Sequence, residues 1–163
     1  MSSIHEKTKL IKKWQIIKYA SNEDVAKANS YEIVEWEENL LLNEGITVAL
    51  QLMGGIAATA FSNANAYLGV GDSATAEAAV QTGLQAATNL VYAPMVATYP
   101  QVSGQTITWK ASFGSAAANF AWNEFTVANG NSNAAANLNR KVSAQGTKTS
   151  GQTWVLSLDI TLA

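Results

Sequence analysis

Alternation of apolar and polar residues is the dominant pattern in the second half of this chain. Residues 106–113 alternate without interruption, and residues 152–162 do the same around Trp154, Leu156 and Leu158. A period of two residues predicts β-strands with one buried face. Shorter runs rich in β-branched and aromatic residues predict further strands at 31–36, 66–71, 90–97, 120–127 and 138–144. Several short strands at this spacing predict a mainly β fold, as a single sandwich or barrel-like domain.

A helical pattern interrupts the strands at residues 39–53. Gly54 and Gly55 follow it, and such glycines commonly end a helix. We expect one amphipathic helix here, which covers an open side of the sheets. Its apolar positions recur three or four residues apart, at Leu42, Ile46, Ala49, Leu50 and Met53.

Residues 1–30 differ from the rest of the chain in charge. Of 22 Asp, Glu, Lys and Arg residues, 14 lie in the first 44 positions. Such an asymmetry is typical of tails and arms. We therefore divide the chain into an extended N-terminal arm, residues 1–30, and a β-rich body, residues 31–163. Within the arm, residues 14–20 fit a helix or a strand equally well, and Ser21 is expected to cap a short helical turn that reaches Lys27.

The apolar side chains of the arm are interleaved with lysines. In this pattern the apolar groups are buried against a partner, while the lysine amines stay in water or meet acids. The alternative, a helix lying on a membrane surface, lacks a strongly basic face. The residues expected to bind a partner are Leu10, Ile11, Trp14, Ile16, Ile17 and Tyr19.

The composition narrows the classes of function. Charged residues make up 13% of the chain and the net charge is −2, which does not indicate nucleic-acid binding. No apolar run is long enough to span a membrane. The chain has no Cys, which excludes disulfides and Cys-based metal sites, and no local spacing of acids indicates a metal or cofactor. The low charge indicates a surface that partner or sister subunits cover.

The sequence offers no convincing catalytic set. The sole His, His5, lies near a chain terminus, where a catalytic base is poorly held. Residues 69–73, Gly-Val-Gly-Asp-Ser, could form a phosphate-binding turn or hold an esterase nucleophile. A third glycine, a P-loop lysine and a downstream His are all missing, so we interpret this motif as a tight turn with a capping Asp or Ser. We expect no enzymatic activity.

Glu124 and the aromatic residues of the body leave alternatives open. Glu124 could serve a sugar-binding site, but a partly buried Glu is more often paired with a base. Arg140 is therefore expected to form a structural ion pair with it. The large aromatic residues could belong to the core, to a subunit interface or to a carbohydrate-binding surface. These residues are Trp109, Phe113, Trp122 and Phe125.

Six short stretches of the body can be compared with known proteins. They are Asn-Leu-Leu-Leu-Asn-Glu-Gly at 39–45, Asn-Ala-Tyr-Leu-Gly-Val-Gly-Asp-Ser at 65–73, Asn-Phe-Ala-Trp-Asn-Glu-Phe at 119–125, Leu-Asn-Arg-Lys-Val at 138–142, Gly-Thr-Lys at 146–148 and the closing strand with Thr153 and Trp154. Together they resemble small virion structural proteins of tailed bacteriophages, most of all a head decoration (cement) protein. The resemblance covers residues 36–163.

The resemblance implies a fold, a location and partners. It implies a body of the β-tulip type, homotrimers on the outer surface of the capsid, and the major capsid protein as partner, without nucleic acid or membrane. Residues 1–35 lie outside the resembling stretches, and the arm would reach neighbouring capsid subunits and clamp them. A tail, baseplate or fibre component and a carbohydrate-binding module that uses Trp109 and Trp122 remain alternatives.

Overall fold

Two five-stranded antiparallel sheets pack face to face in the computed structural model, which describes residues 9–163. The predicted mainly β sandwich is therefore confirmed. Along the chain the elements are β1 (Leu10–Tyr19), α1 (Asn22–Ala26), β2 (Glu32–Glu37), β3 (Leu40–Leu41), α2 (Asn43–Met53), β4 (Tyr67–Gly71), β5 (Leu90–Pro94), β6 (Gln101–Ser103), β7 (Thr106–Phe113), β8 (Glu124–Ala128), β9 (Asn139–Val142) and β10 (Thr153–Leu162). The strand order is β2-β1-β10-β7-β6 in the first sheet and β3-β9-β8-β4-β5 in the second.

Large aromatic side chains fill the space between the sheets. Trp14, Trp122 and Trp154 are all buried there. The rings of Phe113 and Trp154 lie 4.8 and 4.9 Å from that of Trp122, both edge to face. Such pairs stabilise a core beyond the effect of area burial alone. Because alternate residues of β7 and β10 point into this core, the alternation in the sequence reports their burial directly.

The chain crosses between the sheets four times, and two of these crossings are corners that join the edge strands of the two sheets. β2 of the first sheet leads through Glu38 and Asn39 into β3 of the second, and Glu38 has a positive φ of 72°. On another side, Met95 follows β5 of the second sheet and forms a bridge to Ala111 in β7 of the first. These two corners connect the edges of the sandwich and close it partly into a barrel.

The predicted N-terminal arm is wrong for residues 10–19. They form β1, which pairs with β10 along its whole length and with β2 on its other side. Trp14 and Ile16 are completely buried. An interior strand with buried side chains belongs to the body, so no domain boundary falls at residue 30. Residues 1–8 of the predicted arm lie outside the described residues.

The environment of Lys18 explains why the charge pattern wrongly predicts an exposed arm in this part of the sequence. Its amine pairs with Glu32 at 2.7 Å, donates to the carbonyl oxygen of Gln145 at 2.9 Å and lies 4.5 Å from the ring centroid of Trp154. A lysine is tolerated inside a fold when its amine has such partners. Lysines between apolar residues therefore do not mark a solvated arm here.

The shorter elements agree with the sequence in most places. Ser21 caps α1 as predicted, and its Oγ accepts the N–H of Asp24 at 3.1 Å. α2 begins at Asn43, later than the predicted helix start, because β3 occupies the positions just before it. Residues 120–123 lie outside the strands, so the strand predicted at residues 120–127 begins only at Glu124, and all five residues of β8 are buried. β3 and β6 have no counterpart among the predicted strands, since two or three residues are too few to show a period.

Replacing Ile16 with Ala is expected to lower the free energy of unfolding by about 2–5 kcal/mol, because it leaves a cavity in the core. Ile17→Ala is the matched control, since Ile17 lies on the opposite face of β1 and is only partly buried, and a smaller loss is expected. Chemical denaturation of both variants measures the difference. An unchanged midpoint for Ile16→Ala would contradict the position of β1 inside the sheet.

Candidate functional site

The residues predicted to bind a partner all lie on β1, and none of them is fully exposed. Trp14, Ile16 and Tyr19 are buried, and the others are partly covered. Because alternate side chains of a strand point to opposite faces, they do not form one contact surface. These residues therefore provide no single surface for a partner. The six residues are Leu10, Ile11, Trp14, Ile16, Ile17 and Tyr19.

The large aromatic residues of the body are core residues. Trp109 is 4% exposed, and Phe113, Trp122 and Phe125 are completely buried. Both indole N–H groups, of Trp109 and Trp122, donate to backbone carbonyls of this chain. A sugar stacks on an exposed ring face, so these side chains cannot form a carbohydrate-binding surface. Complete burial also makes Phe113, Trp122 and Phe125 core residues and not interface residues, whereas Trp109 additionally lines an apolar groove described below.

The pairing predicted between Glu124 and Arg140 is present. Both side chains are completely buried, and Arg140 Nη2 lies 2.7 Å from Glu124 Oε2 while Nε donates to the same oxygen at 2.8 Å. The carboxylate also accepts the backbone N–H groups of Gln85 and Ala86, each at 2.8 Å. These bonds occupy the carboxylate from several sides, so Glu124 is neither a sugar ligand nor an acid–base group.

The glycine motif at residues 69–73 is explained by the same ion pair. Gly71 lies in β4, and a Cβ added to it would lie 2.4 Å from Glu124 Oε1. The glycine is therefore required by close packing and not by a bound phosphate. Asp72 and Ser73 form hydrogen bonds with neighbouring side chains, and neither is placed as a nucleophile with a base.

Lys148 is a further buried charged residue, and its amine is held by neutral acceptors. It donates to the carbonyl oxygens of Gly114 and Ala117 at 2.8 and 2.9 Å and to Asn119 Oδ1 at 2.8 Å. Burial lowers the pKa of the Lys148 amine, because its charged form loses hydration. The three bonds fasten the loop of residues 114–119 to the body, which is a structural role.

The acidic residues near the N-terminus pair with lysines across the first sheet. Lys13 Nζ lies 2.8 Å from Glu35 Oε2, and Lys18 Nζ lies 2.7 Å from Glu32 Oε2. Within residues 9–163 no group of three or more His, Cys, Asp or Glu side chains is arranged to hold a metal ion. The helices in this part of the chain are too short or too polar to cross a membrane.

A polar depression of about 430 Å³ lies near the corner between β2 and β3. Its charges are matched internally. Lys12 Nζ donates to the carbonyl oxygen of Asn39 at 2.6 Å, and Lys141 Nζ lies 3.6 Å from Glu77 Oε1. Burial is the largest single influence on the Glu77 carboxyl and raises its pKa. The hydrogen bond from the Val142 N–H and the charge of Lys141 together outweigh burial, so the pKa is lowered overall. These groups hold one another and leave no charge in excess for a ligand.

The most extensive run of exposed apolar side chains lies on α2 and the turn after it. We call this surface the α2 face. Met53 is 84% exposed and Leu50 is 61% exposed, and the chain carries no charged residue from position 45 to position 71. The apolar face of a helix is normally buried, so this exposed one is a candidate contact surface. Its exposed residues are Ile46, Leu50, Leu52, Met53 and Ile56.

An apolar groove of about 360 Å³ runs beside the α2 face. Ala49 and Leu52 of α2 line it, together with Trp109 of β7. The remaining lining residues are Ala60, Phe61, Ser62, Ile107 and Leu138. The α2 face therefore presents protruding apolar side chains and an apolar depression next to each other.

The first turn of α2 is fixed to the body. The N–H of Leu42 donates to the carbonyl oxygen of Leu138 at 3.1 Å, and Glu44 Oε1 accepts the N–H of Asn137 at 2.8 Å. A Cβ added to Gly45 would lie 2.3 Å from the Cα of Leu138, so only glycine permits this approach. Glu44, the charged residue of α2, is thereby turned toward the body, and the uncharged part of the helix projects from a rigid base.

That this helix covers an open side of the sheets stays a prediction, since only part of the surface of the helix is buried. Val48, Ala49 and Leu52 are partly buried or line the groove, whereas Leu50 and Met53 face outward. The signal for a contact surface was present in the sequence, since apolar residues occur on more than one side of the helix and no charge marks a solvent face. The contact surface can be located only from the structure, which shows which side of the helix is exposed.

Comparisons of the chain with models of protein families, with curated proteins and with solved structures found no match. The sequence patterns and the geometry of the described residues are therefore the basis for a functional proposal.

Replacing Arg140 with Met is expected to lower the free energy of unfolding by about 3–5 kcal/mol, because Glu124 would stay buried without its partner. Lys141→Met is the matched control, the same change at the next residue of β9. The Lys141 amine lies 3.6 and 3.9 Å from Glu77 and Glu38, and about 1 kcal/mol or less is expected there. Urea unfolding measures both variants. Equal losses of unfolding free energy in the two variants would contradict a larger contribution from the buried Glu124–Arg140 pair.

Proposed function

We propose that this chain is a non-enzymatic structural protein of a tailed-bacteriophage virion, a head decoration (cement) protein that binds the outer surface of the capsid. Its partners would be the major capsid protein and further copies of itself, in a homotrimer. The observation that supports this most strongly is the α2 face, an uncharged cluster of apolar side chains displayed on the outside of a β-sandwich. Exposed apolar surfaces of this kind mark sites of protein contact.

The rigidity of the body supports a role in assembly. The long connection from β4 to β5 contains no helix or strand, yet it is held from several sides. Arg140 Nη1 donates to the carbonyl oxygen of Thr75 at 2.8 Å and to Gln81 Oε1 at 3.0 Å, and Asn133 Nδ2 donates to the carbonyl oxygen of Leu84 at 2.8 Å. A clamp between capsid subunits needs such a body, because a module that deforms would transmit little force.

The contact with the capsid requires a surface other than the predicted arm. β2 is an edge of the first sheet, and in the described part of the chain it pairs with β1 alone. An exposed edge strand can accept a strand of a partner through main-chain hydrogen bonds. Its Glu32 and Glu35 are held by Lys18 and Lys13, while Ile33 is more than half exposed. We propose that the capsid contact runs along β2.

A tail, baseplate or fibre component is the alternative that the same surfaces would also suit. An edge strand and an apolar helix can join rings or stacks of subunits as readily as they join a decoration protein to a shell. The location of the protein on the virion distinguishes the two proposals.

The test of location is immunogold labelling and cryo-EM of virions purified from lysates in which mass spectrometry detects this chain. Gold on the head surface, and density of this size above the capsid subunits, is the expected result. Labelling confined to tails would support the alternative and contradict a decoration role. Particles without label, in a lysate that contains the chain, would contradict both virion proposals.

The proposed contact along β2 predicts an effect of a single charge. Ile33→Glu should weaken co-sedimentation with undecorated capsids by about tenfold or more, because the new carboxylate must be desolvated at the contact. Val80→Glu is the control, since Val80 is 78% exposed and lies in the connection between β4 and β5. Equal binding of both variants would contradict the β2 contact.

A further inference from the structure

We infer that the α2 face binds a second copy of this chain. The inference rests on the proposed function in one respect, since it names the surface that joins the copies of the proposed oligomer. The contact would bury the outward side chains of α2, above all Leu50 and Met53, against the α2 face and the apolar groove of the neighbouring copy.

The lack of charge favours an identical partner. Residues 45–71 contain no Asp, Glu, Lys, Arg or His, and the carboxylate of Glu44 is bonded to the N–H of Asn137. Where identical faces meet around a symmetry axis, a charge near the axis meets its own copy. A face without charge avoids this repulsion, whereas recognition of a different, charged partner depends on complementary charges.

The shape of the surface points to the same occupant. Leu50 and Met53 protrude from α2, and the groove of about 360 Å³ lies along the adjacent side of the same helix. On such a surface, the protruding apolar side chains of one copy can fit into the apolar groove of another copy. The groove is lined almost entirely by apolar groups, so an apolar side chain gains more there than a polar one.

A lipid surface fits the α2 face less well. Helices that lie on membranes combine an apolar face with lysines and arginines on the polar face, which meet the anionic headgroups. α2 has no basic residue, and its acidic one, Glu44, lies in the first turn. The helix thus lacks the electrostatic part of membrane binding.

The helix is also arranged in advance for a contact. Its first turn is fixed by Leu42, Glu44 and Gly45 against the segment at Asn137 and Leu138. At its other end Gly55, with a φ of 69°, ends the helix and the N–H of Ile56 donates to the carbonyl oxygen of Gln51 at 2.8 Å. Little conformational freedom is left to lose when a partner binds.

The main experiment measures the mass in solution of the full chain and of the double variant Leu50→Glu/Met53→Glu, by sedimentation velocity over a concentration series. The unmodified chain should be oligomeric. The concentration at which the oligomer dissociates should be about 100-fold higher or more for the variant than for the unmodified chain, because carboxylates would have to enter the contact. The control Val80→Glu/Val102→Glu changes two other exposed valines and should leave the mass unchanged. Circular dichroism checks that each variant is folded.

Crosslinking provides a second measurement that does not depend on added charge. The chain has no cysteine, so Met53→Cys introduces a single thiol into the α2 face, and Val80→Cys introduces one outside it. Mild oxidation should link Met53→Cys into covalent dimers at low protein concentration, while Val80→Cys should remain unlinked. Equal linking of the two would contradict the inference.

The outcomes separate this inference from the proposed function. A monomeric unmodified chain, or a charge variant of α2 that keeps the full mass, overturns the α2 contact even if gold labels the phage head. Loss of the oligomer in the α2 variant alone supports the contact even if no label is found on virions. Sedimentation of the chain with neutral phosphatidylcholine vesicles, abolished by the same variant, would instead show that lipid occupies the face.

Discussion

The second sheet depends on a buried ion pair, in which one carboxylate and one guanidinium group are held together out of contact with water. Glu124 and Arg140 are both completely buried, and buried charges persist only when they are paired and hydrogen-bonded. The bonds that they need fix their surroundings, including the N–H groups of Gln85 and Ala86. The connection between β4 and β5 has no regular structure of its own, yet its path follows from this requirement. The lack of a side chain at Gly71 follows from it too.

The sequence predicts strands well where only one face is buried. β7 and β10 alternate because each has an inner and an outer side. β1 is not recognisable as an interior strand, because Ile17 on its outer face and Lys18 among its buried residues disturb the pattern. Its position depends on pairing with residues at the other end of the chain. Such a long-range contact leaves no local trace, and the nearby charges then favour an arm.

The candidate site shows the same division between local and distant information. The Glu124–Arg140 pair was predictable because acids and bases are scarce in the body, so few pairings are available. Whether an aromatic ring lies in the core or at an interface depends on what packs over it, as the complete burial of Trp122 shows. The helical period predicts the position of α2 in the sequence. Which side of α2 is exposed depends on how Gly45 packs against the body.

The adjacency of β1 and β10 has a consequence for synthesis. These strands lie side by side in the middle of the first sheet, although the ribosome makes one of them early and the other late. Until residues 153–162 have emerged, Trp14 and Ile16 lack the strand that completes their layer. A copy cut short by premature termination therefore cannot finish the body that carries α2. Completion of the first sheet therefore waits until the last of the described strands has been synthesised.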